Sequence, residues 1–218
     1  MIHGIIFDMD GVLADSEPII MESAVQMFKE HGVIVQASDF LPFVGTGEAR
    51  FLGGVAEKYG FTLDIERDKT RTYDIYLDII RGRLKPIHGA VEFVRACKAG
   101  GKRIAIATSA DSRKMNGNLN EIGLPPSMFD AVVTGNDVVN KKPAPDIFLA
   151  AAKRLGIPAA DCLVVEDAPN GIIAAKSAGA QCLGITSTFA KEVLIQAGAD
   201  HTAASLADVP GAIMQFII

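Results

Sequence analysis

The sequence has no tryptophan, few aromatic residues and no long hydrophobic run. Aromatic residues make up 6% of its 218 residues, and 26 acidic residues outnumber 21 Lys and Arg, for a formal net charge of −5. Nucleic-acid binding needs a basic surface, and base stacking needs aromatic side chains, so neither is expected here. Because a membrane-spanning helix needs about 20 consecutive apolar residues, none is expected either.

Cysteine is also scarce, with Cys97, Cys162 and Cys182 far apart and each within or beside an apolar stretch. No pair has the spacing of a metal site, so buried free thiols in a reducing compartment are expected. The first residues lack the basic region, apolar region and cleavage site of a signal peptide. We therefore expect a cytoplasmic protein without a membrane partner, and we take a monomer as the default.

Short apolar runs alternate with stretches of helical spacing along most of the chain. The spacing predicts helices around residues 91–97, 147–155 and 172–178. Alternation of strands and helices is typical of an α/β fold, here a Rossmann-like, doubly wound parallel sheet covered on both faces. The predicted strands are residues 2–7, 103–107, 131–134, 162–165 and 181–185.

The segment after the first predicted strand breaks this alternation, because residues 15–85 contain no comparable strand pattern. Their apolar spacing predicts helices over residues 21–31, 50–59 and 69–83. We therefore predict an α/β core formed by residues 1–14 and 86–218, into which a helical domain of residues 15–85 is inserted.

Two acidic residues, Asp8 and Asp10, follow directly on the first predicted strand. In an extended segment, side chains two residues apart lie on the same side, where like charges repel unless a cation accompanies them. Mg²⁺ prefers carboxylates and water as ligands and would relieve this repulsion. Gly11 would allow a sharp turn after the pair. The alternative is an ordinary surface turn, in which Asp and Gly are common.

Further polar groups follow other predicted strands: Thr108 and Ser109, then Lys142, then Glu166 and Asp167. In an open parallel sheet these positions meet beyond the carboxyl ends of the strands, where ligands bind. Carboxylates there can hold Mg²⁺, a lysine and a hydroxyl can hold phosphate, and an aspartate can act as a nucleophile. Taken singly, Thr108 and the Glu166–Asp167 pair could be helix caps, and Lys142 could be a solvated loop residue.

The order and spacing of these segments resemble the motifs of the haloacid dehalogenase superfamily, over essentially the whole chain. Within it, the chain resembles β-phosphoglucomutase-like phosphatases with a small helical cap. The resemblance implies an Mg²⁺-dependent phosphatase that hydrolyses a small phosphorylated metabolite through an aspartyl-phosphate intermediate. The matching segments are FDMDGVLADS at residues 7–16, TS at 108–109, KPAPDIF at 142–148 and ED at 166–167.

The resemblance also implies roles for individual residues. Asp8 would be the nucleophile, and Asp10 would protonate the leaving oxygen and later activate water. Thr108 and the backbone N–H of Ser109 would bind phosphate oxygens, and Lys142 would neutralise charge between Asp8 and the phosphate. The presence of an acid at Asp10 favours phosphate-ester chemistry over the cleavage of carbon–halogen bonds.

The metal site that the resemblance implies consists of the Asp8 carboxylate, the Asp10 backbone carbonyl and Asp167. Glu166 would stand beside it, either as a direct ligand or as a partner of the ligands. A binding module without catalytic activity is the contrasting reading. It is disfavoured because the nucleophile, the acid, the lysine and the metal carboxylate are all present.

Substrate choice is expected to depend on the helical insert. Arg50 could bind a second anionic group of the substrate, or it could be a solvated helix arginine. Sugar phosphates, phosphoglycolate-like acids and nucleotides all remain open as substrates. The candidate specificity residues are Ser16, Glu17, Thr46, Gly47, Glu48 and Arg50.

A sugar-phosphate mutase of the β-phosphoglucomutase type is the alternative enzyme. In those mutases a histidine stands where this chain has Ile20, and an arginine stands where it has Glu48. Isoleucine cannot hydrogen-bond through its side chain, and a carboxylate repels a second phosphate. Both differences favour hydrolysis over phosphoryl transfer to a second hydroxyl.

Overall fold

A six-stranded parallel sheet forms the centre of the computed structural model, which describes residues 2–217. Its strands are β1 (Gly4–Phe7), β2 (Arg103–Ala107), β3 (Ala131–Val133), β4 (Cys162–Glu166), β5 (Gln181–Ile185) and β6 (His201–Ala203). Their order across the sheet is β3-β2-β1-β4-β5-β6, and every neighbouring pair is parallel. The predicted doubly wound α/β fold is confirmed.

Helices connect the strands and form the segment between β1 and β2. The α-helices are α1 (Glu17–Glu30), α2 (Glu48–Lys58), α3 (Ile65–Ile79), α4 (Ala90–Ala99), α5 (Ser112–Glu121), α6 (Asp146–Leu155), α7 (Pro169–Ser177), α8 (Lys191–Gln196) and α9 (Gly211–Ile217). Shorter 3-10 helices occur at Ala37–Phe43, Pro126–Met128, Gly135–Asp137, Ala159–Asp161 and Leu206–Asp208.

Apolar packing covers both faces of the sheet. Successive residues of β1 point to opposite faces, so Ile5 and Phe7 belong to the buried cluster that includes residues of α4 and α5, and Ile6 belongs to the one that includes residues of α6, α7 and α8. All four residues of β1 are buried. This two-sided burial explains why the central strands have continuous apolar sequences rather than alternating ones.

The five predicted strands are all present, although β1 begins two residues later than predicted. The structure adds β6, which the sequence analysis did not predict. This strand is three residues long, lies at the edge of the sheet and includes the exposed His201. A short polar edge strand has no apolar run by which it could be recognised.

The insert between β1 and α4 is helical, as predicted, and its helices begin earlier than their apolar spacing suggested. Helix α1 begins at Glu17, with Ser16 as its N-cap residue. Helix α3 follows Asp64, whose side chain accepts the backbone N–H of Arg67. Helix starts depend on capping residues that are polar, so the apolar pattern alone places them too late.

Hydrogen bonds join the chain where it leaves the sheet region and where it returns. The backbone N–H of Asp15 donates to the Lys85 carbonyl, and that of Ile87 donates to the Leu13 carbonyl, both at 3.0 Å. These residues lie at the predicted limits of the insert. The division into a core of residues 1–14 and 86–218 and an inserted domain of residues 15–85 stays a prediction. Met1 and Ile218 lie outside the described residues.

Helix α4 begins after Gly89, and this position gives a stability prediction. Gly89 has a φ of 77°, and a Cβ there would lie 2.3 Å from the backbone nitrogen of Ala207. Gly101 has a similar φ of 75°, but a Cβ there would meet no atom within 4 Å. We expect Gly101→Ala to cost about 1–2 kcal/mol for the left-handed backbone alone.

Gly89→Ala should cost at least about 2 kcal/mol more, because the Ala207 main chain must also move. Urea unfolding of both variants measures the difference directly. Equal losses of stability would show that the contact with Ala207 has no energetic weight.

Candidate active site

The sheet topology brings the predicted catalytic residues together at one edge. Strands β1 and β4 are neighbours with Phe7 beside Val165, so Asp8 follows β1 next to the place where β4 ends in Glu166 and continues to Asp167. Oxygen atoms of these three carboxylates all lie within 4.8 Å of one another. The direction of strand order reverses beside β1, which is where ligands bind in such sheets.

A tight turn at Gly11 closes one side of this cluster. Gly11 has a φ of 72°, and a Cβ there would lie 2.1 Å from the Asp167 carboxylate. The Ser187 hydroxyl donates to the Gly11 carbonyl and holds the turn from the opposite side. Only glycine therefore allows the backbone to pass this close to Asp167.

Lys142 supplies the positive charge of the cluster. Its ammonium group donates to Asp8 Oδ1 at 2.7 Å and to Glu166 Oε1 at 2.6 Å. Glu166 Oε2 accepts the backbone N–H groups of Asp167 and Ala168 at 2.8 and 2.9 Å. Lys142 is buried, so the alternative of a solvated loop lysine is wrong.

Burial dominates the ionisation of the cluster. It raises the pKa of Asp8 to about 7, even though Lys142 opposes the shift, and Glu166 and Asp10 add to it. Burial likewise raises the pKa of Asp167, with contributions from Glu166 and Asp8. Burial alone would lower the pKa of Lys142, but attraction to Asp8 and Glu166 outweighs it and raises the pKa. The cluster therefore has more negative charge than one lysine neutralises.

Asp10 lies beside this cluster and is held by a separate set of donors. Its Oδ1 accepts hydrogen bonds from the Ser16 hydroxyl and, at 3.3 Å, from the Asn118 amide, and it forms an ion pair with the Lys114 ammonium at 2.9 Å. Asn118 in turn accepts the Tyr76 hydroxyl at 2.6 Å. All three groups contact the same oxygen of Asp10.

Lys114 and Asn118 were missed by the sequence analysis, although both are buried beside a predicted catalytic residue. They lie four residues apart on α5, and this spacing places two side chains on one helix face. This four-residue spacing was the sequence signal that could have indicated both residues. Lysine on a helix is usually solvated, however, so the pattern does not by itself indicate burial.

The sheet side of the cleft contains most of the predicted core-domain residues. Thr108 does not line the cleft; it is fully buried, and its Oγ1 accepts the Ala110 backbone N–H at 3.1 Å. That contact lies within the turn before α5 rather than at a helix N-cap. The predicted residues that line this side are Asp8, Asp10, Ser109, Lys142, Glu166 and Asp167.

The insert contributes Glu17, Gly47 and Glu48 to the opposite side of the cleft. Burial raises the pKa of Glu17 to about 7, where Lys114 opposes the shift and Asp10 and Glu48 increase it. Burial raises the pKa of Glu48 as well, and its carboxylate lies 3.8 Å from the Lys114 ammonium. This side of the cleft is acidic.

Three other candidate specificity residues do not line the cleft. Ser16 is fully buried and contacts Asp10, and the Thr46 hydroxyl donates to the Phe43 carbonyl at 2.6 Å. Arg50 is exposed and forms an ion pair with Glu57 at 3.0 Å. The structure therefore does not bring Arg50 to the place where a second anion of the substrate would lie.

A family model described as haloacid dehalogenase-like hydrolase matches residues 2–179. The match covers the motif after β1, the helical insert, Lys142 and the Glu166–Asp167 pair. The chain belongs to this hydrolase family. The family predicted from the motifs is confirmed.

Two similar proteins are named, and one of them is a phosphatase. The chain is 46% identical over 202 residues to "Protein SUPPRESSOR OF QUENCHING 1, chloroplastic" of Arabidopsis thaliana. The aligned region covers 90% of this chain and 19% of that protein. It thus spans about a fifth of that relative. It is 30% identical over 199 residues to "Phosphorylated carbohydrates phosphatase" of Thermotoga maritima, covering 90% of this chain and 92% of that protein.

Solved structures of this hydrolase family share the fold. CbbY from Rhodobacter sphaeroides in complex with phosphate has a TM-score of 0.86 and 25% identity, covering 95% of this chain and 96% of that one. A hydrolase from Pseudomonas syringae has a TM-score of 0.86 and 26% identity, covering 98% of each chain.

No helix within residues 2–217 is long and apolar enough to cross a membrane. The cytoplasmic location and the monomeric state stay predictions.

The carboxylate cluster predicts a stability that depends on pH and on divalent cations. Burial raises the pKa of Asp8 from an ordinary value of 3.8 to about 7, and it raises that of Asp167. Without metal, the folded state retains protons that the unfolded state has released. The cluster's contribution to stability is therefore present below about pH 4 and is lost as the pH rises through about 7.

A divalent cation should restore this loss. At a concentration of about 100 times its dissociation constant, the cation adds about 2.7 kcal/mol to the free energy of unfolding. For a chain of this size, this corresponds to a rise of about 5–10 °C in melting temperature. We expect the full rise at about pH 8 and a much smaller one at about pH 5. Melting curves with chelator or MgCl2 at both pH values test this. Asp167→Asn, which removes one carboxylate, should lose most of the rise, and an equal rise at both pH values would contradict the assignment.

Proposed function

We propose that this enzyme is an Mg²⁺-dependent phosphatase that hydrolyses a small phosphorylated metabolite through an aspartyl-phosphate on Asp8. The observation that carries the proposal is the Asp8 carboxylate at the end of β1, with one oxygen held by the buried Lys142 ammonium and Asp167 beside it. The family match and relatives named as phosphatases of phosphorylated carbohydrates support it. Release of inorganic phosphate from a panel of phosphorylated metabolites with Mg²⁺ tests it.

The residues at this end of the sheet fit Mg²⁺. Their donors are carboxylate oxygens within 4.8 Å of one another, the ligand type that Mg²⁺ prefers. Asp8, Asp167 and the Asp10 backbone carbonyl would hold it. Both oxygens of Glu166 already accept hydrogen bonds, so Glu166 would chiefly orient Lys142. Bound Mg²⁺ would neutralise phosphate charge and hold the phosphate against Asp8.

The first chemical step forms a bond between an Asp8 oxygen and phosphorus as the bond from phosphorus to the ester oxygen breaks. Lys142 already binds Asp8 Oδ1, so it neutralises charge as the phosphoryl group is transferred. The Ser109 N–H, which lies at the cleft, would bind a phosphate oxygen, and the buried Thr108 hydroxyl would hold the turn that presents it. Positioning and charge neutralisation supply most of the rate enhancement in such transfers.

The two proton transfers belong to Asp10. It donates a proton to the leaving oxygen, and the free alcohol departs. The resulting Asp10 carboxylate then accepts a proton from the water that attacks the aspartyl-phosphate, which restores Asp8 and releases phosphate. Lys114 and Asn118 both contact Asp10 Oδ1, so they act as positioning residues that direct Oδ2 toward the substrate.

Asp8→Asn should abolish turnover and leave the fold intact, because it removes the nucleophile but keeps the shape of the side chain. We expect phosphate release to fall at least about 1,000-fold. The far-UV circular dichroism spectrum should remain that of a folded chain. Asp15→Asn is the matched control, since Asp15 is exposed and lies outside the cleft. Turnover of the Asp8→Asn protein within a few-fold of the parent would exclude Asp8 as the nucleophile.

Mutase activity is the second candidate, and the cleft argues against it. Ile20 and Glu48 both line the cleft, at the two sequence positions where β-phosphoglucomutases resemble this chain but have a histidine and an arginine. A bisphosphorylated intermediate would bring a second phosphate near Glu48, whose negative charge would repel it. Hydrolysis is therefore favoured.

β-Glucose 1-phosphate distinguishes the two activities. With a trace of the bisphosphate and Mg²⁺ present, we expect inorganic phosphate to appear faster than glucose 6-phosphate, because the described residues of the cleft include no unengaged cation to bind a second phosphate. Coupled assays for both products in one incubation make the comparison. Glucose 6-phosphate appearing much faster than phosphate would establish the mutase instead.

A further inference from the structure

The insert side of the cleft presents two carboxylates, those of Glu17 and Glu48, whose charge is not fully paired within the described residues. Within residues 2–217 the Glu17 carboxylate has no hydrogen-bond donor, although Glu17 is half-buried. The cation nearest to Glu48 is Lys114 at 3.8 Å, and Lys114 contacts Asp10 more closely at 2.9 Å. Two cleft carboxylates are therefore available to a ligand.

The charges that line the cleft do not balance. In the part of the chain that the structure describes, six carboxyl groups and two ammonium groups line it, so negative charge is in excess once the carboxyl groups ionise. Both ammonium groups are engaged, Lys142 with Asp8 and Glu166, and Lys114 with Asp10. A divalent cation and a phosphate dianion would cancel each other and leave the excess negative charge. A leaving group with its own negative charge would be repelled, whereas a positive one would be attracted.

Arg50 does not change this balance. Its guanidinium donates to both Glu57 oxygens at 3.1 and 3.0 Å and lies 5.0 Å from the centroid of the Phe43 ring, outside the cleft. The described residues thus provide the leaving group with no unengaged cation that could bind a carboxylate or a second phosphate.

A buried tyrosine hydroxyl lies behind the same side of the cleft. Tyr73 is 1% exposed; burial raises its pKa, and the neighbouring Glu48 carboxylate contributes next. Burial raises the pKa of Glu48, and Lys114 and the Tyr73 hydroxyl oppose the shift. Because the hydroxyl is neutral, it does not cancel the charge of the Glu48 carboxylate, and that charge stays available to a ligand.

We propose that the substrate is the phosphate ester of an amino alcohol, whose ammonium group binds between the carboxylates of Glu17 and Glu48. Charge-assisted hydrogen bonds from an ammonium to carboxylates are among the strongest in proteins. Ile20 and Phe51 line the cleft beside them and cover the carbon atoms of the leaving group. This inference rests on the proposed phosphatase function and specifies its substrate class.

Matched esters test the inference without altering the protein. 2-Aminoethyl phosphate, 2-hydroxyethyl phosphate and phosphoglycolate share a two-carbon chain and differ in one terminal group, an ammonium, a hydroxyl or a carboxylate. Glucosamine 6-phosphate and glucose 6-phosphate form a longer pair. At about pH 7.5 we expect kcat/KM to be at least about tenfold higher for the amine in one or both pairs, equivalent to about 1.4 kcal/mol. Phosphoglycolate should be the poorest of the short esters.

Variants locate the preference. Glu17→Gln and Glu48→Gln should each lower the amine-to-hydroxyl ratio of kcat/KM toward one. Because the ratio is taken within one variant, a general loss of activity cancels. Glu57→Gln is the matched control, since Glu57 is an exposed carboxylate on the same helix as Glu48 and contacts Arg50 instead of the cleft. Its ratio should stay at the parent value.

The outcomes separate the two proposals. Phosphate release from no ester at all would refute the phosphatase function itself. Release with equal kcat/KM for amine and hydroxyl in both pairs, or from other esters while the amino esters are refused, would overturn the inference and leave the phosphatase function standing. An unchanged ratio in both glutamine variants would equally overturn it, because the ammonium would then bind elsewhere.

Discussion

The rest of the site depends on the buried ammonium group of Lys142 and on the hydrogen bonds that it donates. Asp8 and Glu166 end adjacent strands, and both accept a hydrogen bond from it at 2.7 and 2.6 Å. Buried carboxylates so close together repel each other strongly. Removing one partner of a buried ion pair typically costs about 3–5 kcal/mol. The parallel register of β1 and β4, the turn at Gly11 and the chain that returns Lys142 from β3 all serve to assemble this group.

The two aspartates of the first motif occupy different electrostatic surroundings although one residue separates them. Asp8 lies among carboxylates and shares one lysine with Glu166. Asp10 lies past the strand end, where one of its oxygens accepts two hydrogen bonds and forms an ion pair with a lysine from α5. Groups with similar intrinsic acidity acquire different roles when their surroundings differ in this way. The arrangement is consistent with a nucleophile and a proton carrier side by side.

A feature could be predicted from the sequence when the residues that determine it lie close together along the chain. The central strands were predictable because burial on both faces requires continuous apolar runs, and the motif carboxylates were predictable because they follow those runs directly. Strand β6 has no such run. Lys114 was not predictable, because its burial depends on Asp10 and Glu48, which reach it from distant parts of the chain. Arg50 lies outside the cleft and pairs with Glu57, two helical turns along α2.

The cleft divides recognition between its two sides. The sheet side provides Lys142, Ser109 and the carboxylates proposed to hold Mg²⁺, which together suit a phosphate. The insert side provides Glu17 and Glu48, each the first residue of its helix. A helix N-terminus carries about half a positive charge, so it offsets part of the burial penalty of each carboxylate. Lys114 and the Tyr73 hydroxyl offset a further part at Glu48. None of these groups comes from the sheet side, and so the first residues of α1 and α2 can select the leaving group while the phosphate chemistry stays unchanged.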